Sequence, residues 1–220
     1  MNYIIGDIHS NITELKKLFK IINPKKGDIF IFLGDYIDKN PALDETLAFL
    51  LELNRSYNCV FIKGNHEFIW QRYLVHGELF RRDFIERHGQ HTLQRMGKNH
   101  EELKEGLVEF LKFVEKNIDY YIVGKYIALH AGLLPEQLSQ DPLQFVELNY
   151  FLRDKMDVDR LYFDKYRVVA GHTFLGVEPL IKKGYINIDL GAGYGKYLAA
   201  LRVEDGNIIR SDGRIFNANI

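Results

Sequence analysis

Three short stretches decide how this chain is read: Asn2-Tyr-Ile-Ile-Gly-Asp-Ile-His9, Asp28-Ile-Phe-Ile-Phe-Leu-Gly-Asp35 and Asn58-Cys-Val-Phe-Ile-Lys-Gly-Asn65. Each is an apolar run of strand length that ends in glycine and a polar residue. Between the first two, Ile12, Leu15, Leu18, Phe19 and Ile22 recur at helical spacing, and Asn11 with Glu14 supplies a capped start. The second connector opens with Asn40-Pro41, an N-cap followed by proline at the first helical position, and continues through Leu47, Leu50 and Leu51. This is a βαβαβ unit. Asp7 and Asp35 stand 28 positions apart and Asp35 and Asn65 stand 30, each close to one βαβ step. The spacing predicts that all three reach the carboxyl ends of neighbouring parallel strands, where open α/β sheets build their crevices.

Outward from this unit, Glu67 to about Asn117 reads as helix with mixed charge, with Gly77, Gly89 and Gly97 as breaks. Strand-like runs return at Tyr120–Val123, Tyr126–His130, Arg167–Ala170, Tyr185–Leu190 and Tyr197–Val203, and Asp205-Gly206 before Asn207 reads as a hairpin turn. A second, mainly antiparallel sheet is expected in the last hundred residues. No proline- or serine-rich linker divides the halves, so one domain over 1–220 is expected, an α/β fold of two packed sheets, with a helical insertion at about 79–117 covering the site. The 13 tyrosines and 15 phenylalanines are β-formers that two sheets require.

At 220 residues the chain is long enough to bury a core without crosslinks, and a net charge of -1 gives no global attraction for polyanions. Nucleic acid is therefore not an expected partner. No apolar stretch is long enough to span a bilayer, no signal-peptide pattern opens the chain, and a cytoplasmic location is expected. The single cysteine, Cys59, lies in an apolar run and is expected to be buried and inert.

The polar residues that follow strands are Asp7, His9, Asp35, Asp38, Asn65, His66, His130 and His172. Singly, each reads as a cap, a turn or a structural histidine. Together they make a donor set of oxygen and imidazole without thiolate, which suits divalent manganese, iron or zinc, and its size suits two ions. His76, His88, His91 and His100 fall in the helical region and read as a solvated face. Gly191-Ala-Gly-Tyr-Gly195 lies between strand-like segments and reads as a turn near the site rather than a nucleotide loop.

Gly6-Asp-Ile-His9, Gly34-Asp-Tyr-Ile-Asp38, Gly64-Asn-His-Glu67, His130-Ala-Gly132 and Gly171-His-Thr173 resemble the ordered motif series of the metallophosphoesterases of the phosphoprotein phosphatase family. The bacterial and phage-type branch, which includes diadenosine tetraphosphatases, is the nearest in pattern. The resemblance implies a four-layer α/β/β/α sandwich with two mixed sheets. It implies that Asp7 and His9 bind a first metal, that Asp35 bridges both, and that Asn65, His130 and His172 complete the second, with manganese the expected ion and iron or zinc as alternatives. Hydroxide held between the metals would attack phosphorus. His66 would be the general acid, oriented by Asp38, although a third-ligand role for His66 stays open; Asn65, Lys39 and Arg153 would contact phosphate, although Arg153 also suits a surface ion pair.

The implied activity is hydrolysis of phosphomonoesters, on phosphoserine or phosphothreonine proteins or small phosphorylated molecules. Dinucleoside polyphosphate hydrolysis is the nearest alternative, and an inactive phospho-ligand binding module is the alternative of another class. Three departures stand out. Lys39 replaces the usual arginine after Asp38, a point charge in place of a planar fork; Ser10 and Ala131 each replace a glycine.

Overall fold

Ile5, Phe32 and Phe61 stand side by side at the ends of three parallel strands, β1 (Asn2–Ile5), β2 (Ile29–Phe32) and β3 (Asn58–Phe61). The computed structural model describes residues 1–74, 86–98, 105, 107–112, 119–133 and 166–219. In-register ends start the three following loops at one level, so the 28- and 30-residue spacing becomes spatial convergence. Helices α1 (Ile12–Ile22) and α2 (Leu43–Ser56) form the crossovers. Asn11 caps α1 by accepting from the Glu14 amide at 3.2 Å, and Asn23, left-handed at φ 50°, closes it.

Side chains of the strands alternate between two apolar layers, as the two-residue period requires. Tyr3, Ile5, Phe30, Phe32 and Phe61 pack toward Leu15, Leu18, Phe19 and Ile22 of α1. Ile4, Ile31, Leu33 and Ile62 face the other way and meet Ala128, Val169 and Ile186 of a second sheet. Full burial of Leu15 or Leu18 stabilises the fold by roughly 1.5–3 kcal/mol each.

The second sheet has strand order β4-β5-β6-β8-β7, from β4 (Tyr120–Val123), β5 (Tyr126–Leu129), β6 (Arg167–Ala170), β7 (Leu180–Ile181) and β8 (Tyr185–Asn187). Its β5–β6 and β6–β8 pairs are parallel, so it is mixed rather than mainly antiparallel. The terminal strands β9 (Ala199–Arg202), β10 (Asn207–Arg210) and β11 (Ile215–Asn217) do not join it. They extend the first sheet through β9, antiparallel to β1. The result is two mixed sheets flanked by helices, with a further apolar cluster of Ile127, Leu129, Val168, Ala170 and Tyr185 on the far face of the second sheet.

Three further expectations shift. Helix α2 begins at Leu43, three residues after Asn40, because the Asn40 amide group donates to His9 O at 2.8 Å instead of capping a helix. Gly97 lies inside helix α4 (Gln90–Lys98), which follows α3 (Asn65–Leu74), while Gly89 does interrupt the helix; Gly77 lies outside the described residues, as does about half of the insertion expected at 79–117. Cys59 is partly rather than fully buried, and burial pushes its thiol up to about 12. No described helix is long and apolar enough to cross a membrane.

Candidate metal centre

The loops after β1, β2, β3, β5 and β6 carry the candidate residues, and their backbone is bent into unusual shapes. Besides Asn23, the described residues other than glycine with positive φ all lie in these loops: His9, Ser10, Asp35, Asp38, Lys39 and His172, between 49° and 71°. Each such residue costs about 1–3 kcal/mol and persists only where its surroundings hold it. Here the amides of Ile8 and His9 both donate to Asp35 O, at 3.0 and 2.8 Å, and Ser10 N donates to Tyr36 O at 2.8 Å. Glu67 braces the same loop from α3. Its carboxylate accepts from the amides of Asp35 and Tyr36 at 2.8 Å each, from Gly64 at 3.1 Å and from Ile37 at 3.4 Å.

Asp35 stands at the middle of the cluster. Its Oδ2 is 3.4 Å from His9 Nε2, and its Oδ1 is 3.4 Å from His130 Nε2. Two groups able to hold a cation share it: His9, Asp35 and His66, and Asp35, His130 and His172, with the donor atoms of each group within 4.8 Å of one another. Asn65 Oδ1 lies 3.0 Å from His130 Nε2 and 2.8 Å from His172 Nδ1. Separations near 3 Å are those of neighbouring ligands around a small ion whose bonds are about 2.0–2.2 Å long. Asp7 Oδ2 accepts from the His172 amide at 2.8 Å, while its Oδ1 is buried with no hydrogen-bond partner among the described residues.

Protonation states fit cation binding as well. His9 Nδ1 faces Ile37 O at 3.0 Å and His130 Nδ1 faces Leu33 O at 2.9 Å, so each ring donates from Nδ1 and turns the lone pair of Nε2 into the site. Burial, with Lys39 adding to it, holds His9 well below the usual imidazole value, and burial lowers His130 too, so both are neutral ligands in waiting. Burial would raise Asp35, but the positive charge beside it, that of His66 foremost, outweighs this and holds Asp35 below the usual carboxylate range. Burial and the neighbouring carboxylates of Asp189 and Asp35 push Asp7 well above its usual range. Several carboxylates sharing one buried pocket, one with an unsatisfied oxygen, are the complement of divalent cations.

His66 and Asp38 form a distinct pair beside this cluster. His66 Nδ1 is 2.6 Å from Asp38 Oδ2, and Asp38 also accepts from Trp70 Nε1 at 2.9 Å and from Thr92 Oγ1 at 2.6 Å. His66 Nε2 faces Asp35 Oδ2 at 3.7 Å. Burial disfavours the charged ring, yet the charge of Asp35 and the hydrogen bond that the ring donates to Asp38 prevail and raise His66 above its usual value.

The eight residues read from the sequence thus meet in one place. Lys39 meets them too, but its ammonium sits 2.8 Å from His9 Nε2 and 4.7 Å from the centre of the Tyr194 ring. Arg153 lies outside the described residues. Gly191–Gly195 is indeed a turn at the site, with a 3-10 segment at Ala192–Tyr194. His88 is a correction: it is half-buried, its ring edge meets His66 at 6.2 Å between centres, and its carbonyl accepts from Lys39 N at 3.2 Å. His91 is exposed, as a solvated face requires, and His76 and His100 lie outside the described residues. Glu67, Trp70 and Thr92 were not singled out as site residues. Glu67 alone carried a signal, an acid three residues after Gly64 in a strand-to-helix turn.

Two packed mixed sheets that gather carboxylate, imidazole and amide donors at their strand ends define a metallophosphoesterase architecture. Residues 3–202 match the calcineurin-like phosphoesterase family, and the chain belongs to it. Similar proteins include a protein phosphatase 2A catalytic subunit of Dictyostelium discoideum, 26% identical over 190 residues that cover 78% of this chain and 54% of that one. The PP2A-like serine/threonine phosphatase PPG1 of Candida albicans is 26% identical over 151 residues, 66% of this chain and 32% of that one. The chain therefore spans about half the length of the first and a third of the second. Among solved structures, a cold-active protein tyrosine phosphatase aligns with TM-score 0.69 at 16% identity, over 98% of this chain and 77% of that one. A structure described as a putative diadenosine tetraphosphatase aligns with TM-score 0.63 at 19% identity, over 95% and 91%.

Proposed function

We propose that this chain is a metal-dependent phosphatase that hydrolyses phosphomonoesters, with Asp7, His9 and Asp35 at one metal position and Asp35, Asn65, His130 and His172 at the other. The observation that carries this reading is Asp35, whose two oxygens each stand 3.4 Å from a different histidine. A carboxylate so placed can share its charge between two cations. Two such ions, manganese by preference and iron or zinc as substitutes, supply an activated water at neutral pH and neutralise charge on the phosphoryl group.

The remaining steps belong to the chain's own side chains. Asn65 and Lys39, with Arg153, would hold phosphate oxygens. His66 would hand a proton to the departing alkoxide from Nε2, and Asp38 would hold the ring by its Nδ1, steadied by Trp70 and Thr92. Phosphoproteins and small phosphorylated molecules are the substrates this reading favours. A cytoplasmic setting accords with a chain whose one cysteine is a raised, unreactive thiol.

Release of p-nitrophenol from p-nitrophenyl phosphate should vanish after chelation and return with manganese. Undiminished turnover in protein shown to hold no metal would overturn the reading.

A further inference from the structure

The side chain of Lys39 leaves a left-handed backbone, φ 61°, whose amide donates to His88 O at 3.2 Å. Its stem then runs past Gly193. A Cβ on that glycine would come within 2.7 Å of Lys39 Cδ and 2.6 Å of His9 Cδ2, so the missing side chain leaves the gap that both side chains use. Beyond the gap the ammonium lies 2.8 Å from His9 Nε2 and 4.7 Å from the centre of the Tyr194 ring. Among the described residues it meets no carboxylate at ion-pair distance.

The turn that carries Gly193 and Tyr194 is tied to the loops that carry His9 and Lys39. Ala192 O accepts from Asn11 Nδ2 at 2.9 Å and from Asn40 Nδ2 at 3.4 Å, and Asn40 Nδ2 also donates to His9 O at 2.8 Å. Asp189 Oδ1 accepts from the Gly191 amide at 3.0 Å, while the amides of Tyr194 and Lys196 both donate to Gly191 O at 2.9 Å and close the turn. The Phe174 ring leans against Tyr194, with centres 5.5 Å apart and planes tilted by 41°. Tyr194 is 56% exposed, yet its ring is fixed relative to Lys39.

We infer that Tyr194 is a positioning residue: its ring face, together with the gap at Gly193, seats the Lys39 ammonium beside the phosphoryl site. The inference rests on the phosphatase reading, in which Lys39 holds a phosphate oxygen. An arginine would orient itself on two oxygens through its planar fork. Lysine brings a compact charge on a flexible four-carbon stem, and fixing that stem costs rotamer freedom. An aromatic face offsets part of this cost. It attracts the ammonium through its quadrupole and adds no counter-charge, so the positive charge stays available to phosphate, where a carboxylate in the same place would cancel it. The other contact, His9 Nε2, is a lone pair that the same reading gives to a metal, which leaves the ring as the lasting partner of Lys39.

The test is a double-mutant cycle on the manganese-loaded full chain: wild type, Tyr194→Leu, Tyr194→Phe, Lys39→Met, and Lys39→Met combined with Tyr194→Leu. Calorimetry reads the binding of inorganic phosphate, and ethyl phosphate, which has no ring of its own to meet Tyr194, gives kcat/KM. Tyr194→Leu keeps apolar bulk but loses the ring face. It should weaken phosphate binding and lower kcat/KM by about twofold to fivefold, the scale of an exposed cation–π contact, and Tyr194→Phe should restore both. In the Lys39→Met background Tyr194→Leu should change neither, because the ring then has no charge to seat. Wild-type phosphate binding in Tyr194→Leu, the same loss with and without Lys39, or no phosphate binding by the wild type would overturn the inference. Turnover without coupling between the two residues would remove the seat and leave the phosphatase reading standing; coupling in phosphate binding without turnover of any ester would do the reverse.

Discussion

The His172 amide donates to Asp7 Oδ2 at 2.8 Å across 165 residues of chain, joining the end of β6 in one sheet to the end of β1 in the other. The approach is close because Gly171 has no side chain: a Cβ there would lie 1.8 Å from Asp7 Oδ1. Gly171→Ala should therefore displace Asp7 and remove one metal position while the fold, followed by circular dichroism, persists. Metal analysis after equilibration with manganese reads this out, and full occupancy at wild-type affinity would contradict it.

Asp35→Asn should be the most damaging ligand change, because it removes the shared negative charge from both positions at once. Both metals should bind more weakly and turnover should collapse. Retention of two ions with a near-normal rate would remove Asp35 from the bridging role.

His66→Asn should lower kcat by about 10²–10⁴-fold, the usual reach of general acid–base catalysis, with metal content kept. The loss should shrink for p-nitrophenyl phosphate, whose leaving group needs little protonation. Since Asp35 and Asp38 raise His66 against the pull of burial, the acid form survives above the ordinary imidazole value, and activity falls as pH rises through the raised one. By the same sign, the stability this ring contributes is full below its unfolded value and is lost as pH climbs through the folded one. Asp38→Asn should shift the alkaline limb of kcat/KM downward. An unmoved limb would separate Asp38 from the proton.

Glu67→Gln tests the brace. One amide NH2 would face backbone donors where a carboxylate oxygen now accepts, so the variant should lose about 2–4 kcal/mol of stability, seen as a lower Tm. Burial and Asp35 push this carboxyl up to about 8 while the amide donors favour its charged form; a variant with unchanged Tm would mean that these four bonds do not hold the loop.

Much of this was legible in the chain itself. The strands after which Asp7, Asp35 and Asn65 fall were readable because a parallel sheet with short crossovers converts sequence spacing into spatial register. Partner choice between strands was not: alternation marks Ala199–Arg202 as a strand but does not say that it pairs with β1. Asn40 misled for a related reason, since a side chain with good capping chemistry bonds instead to His9 O, a partner 31 residues away. Trp70 and Thr92 looked like ordinary helix residues because what defines them, a shared carboxylate on Asp38, comes from a different loop.

The left-handed backbone at His9, Asp35, Asp38, Lys39 and His172 has a consequence for how this chain can change. Glycine relaxes such a conformation, so at these positions the residue that best suits the backbone is one that carries no chemistry. Selection for heat resistance alone would favour glycine at Lys39, though not at Asp38, whose buried carboxylate satisfies Trp70 and Thr92, and would weaken the site while improving the scaffold. A collection of thermostable but silent variants should thus cluster at the very loops where function is kept, and their positions would chart the active site without a single substrate being assayed.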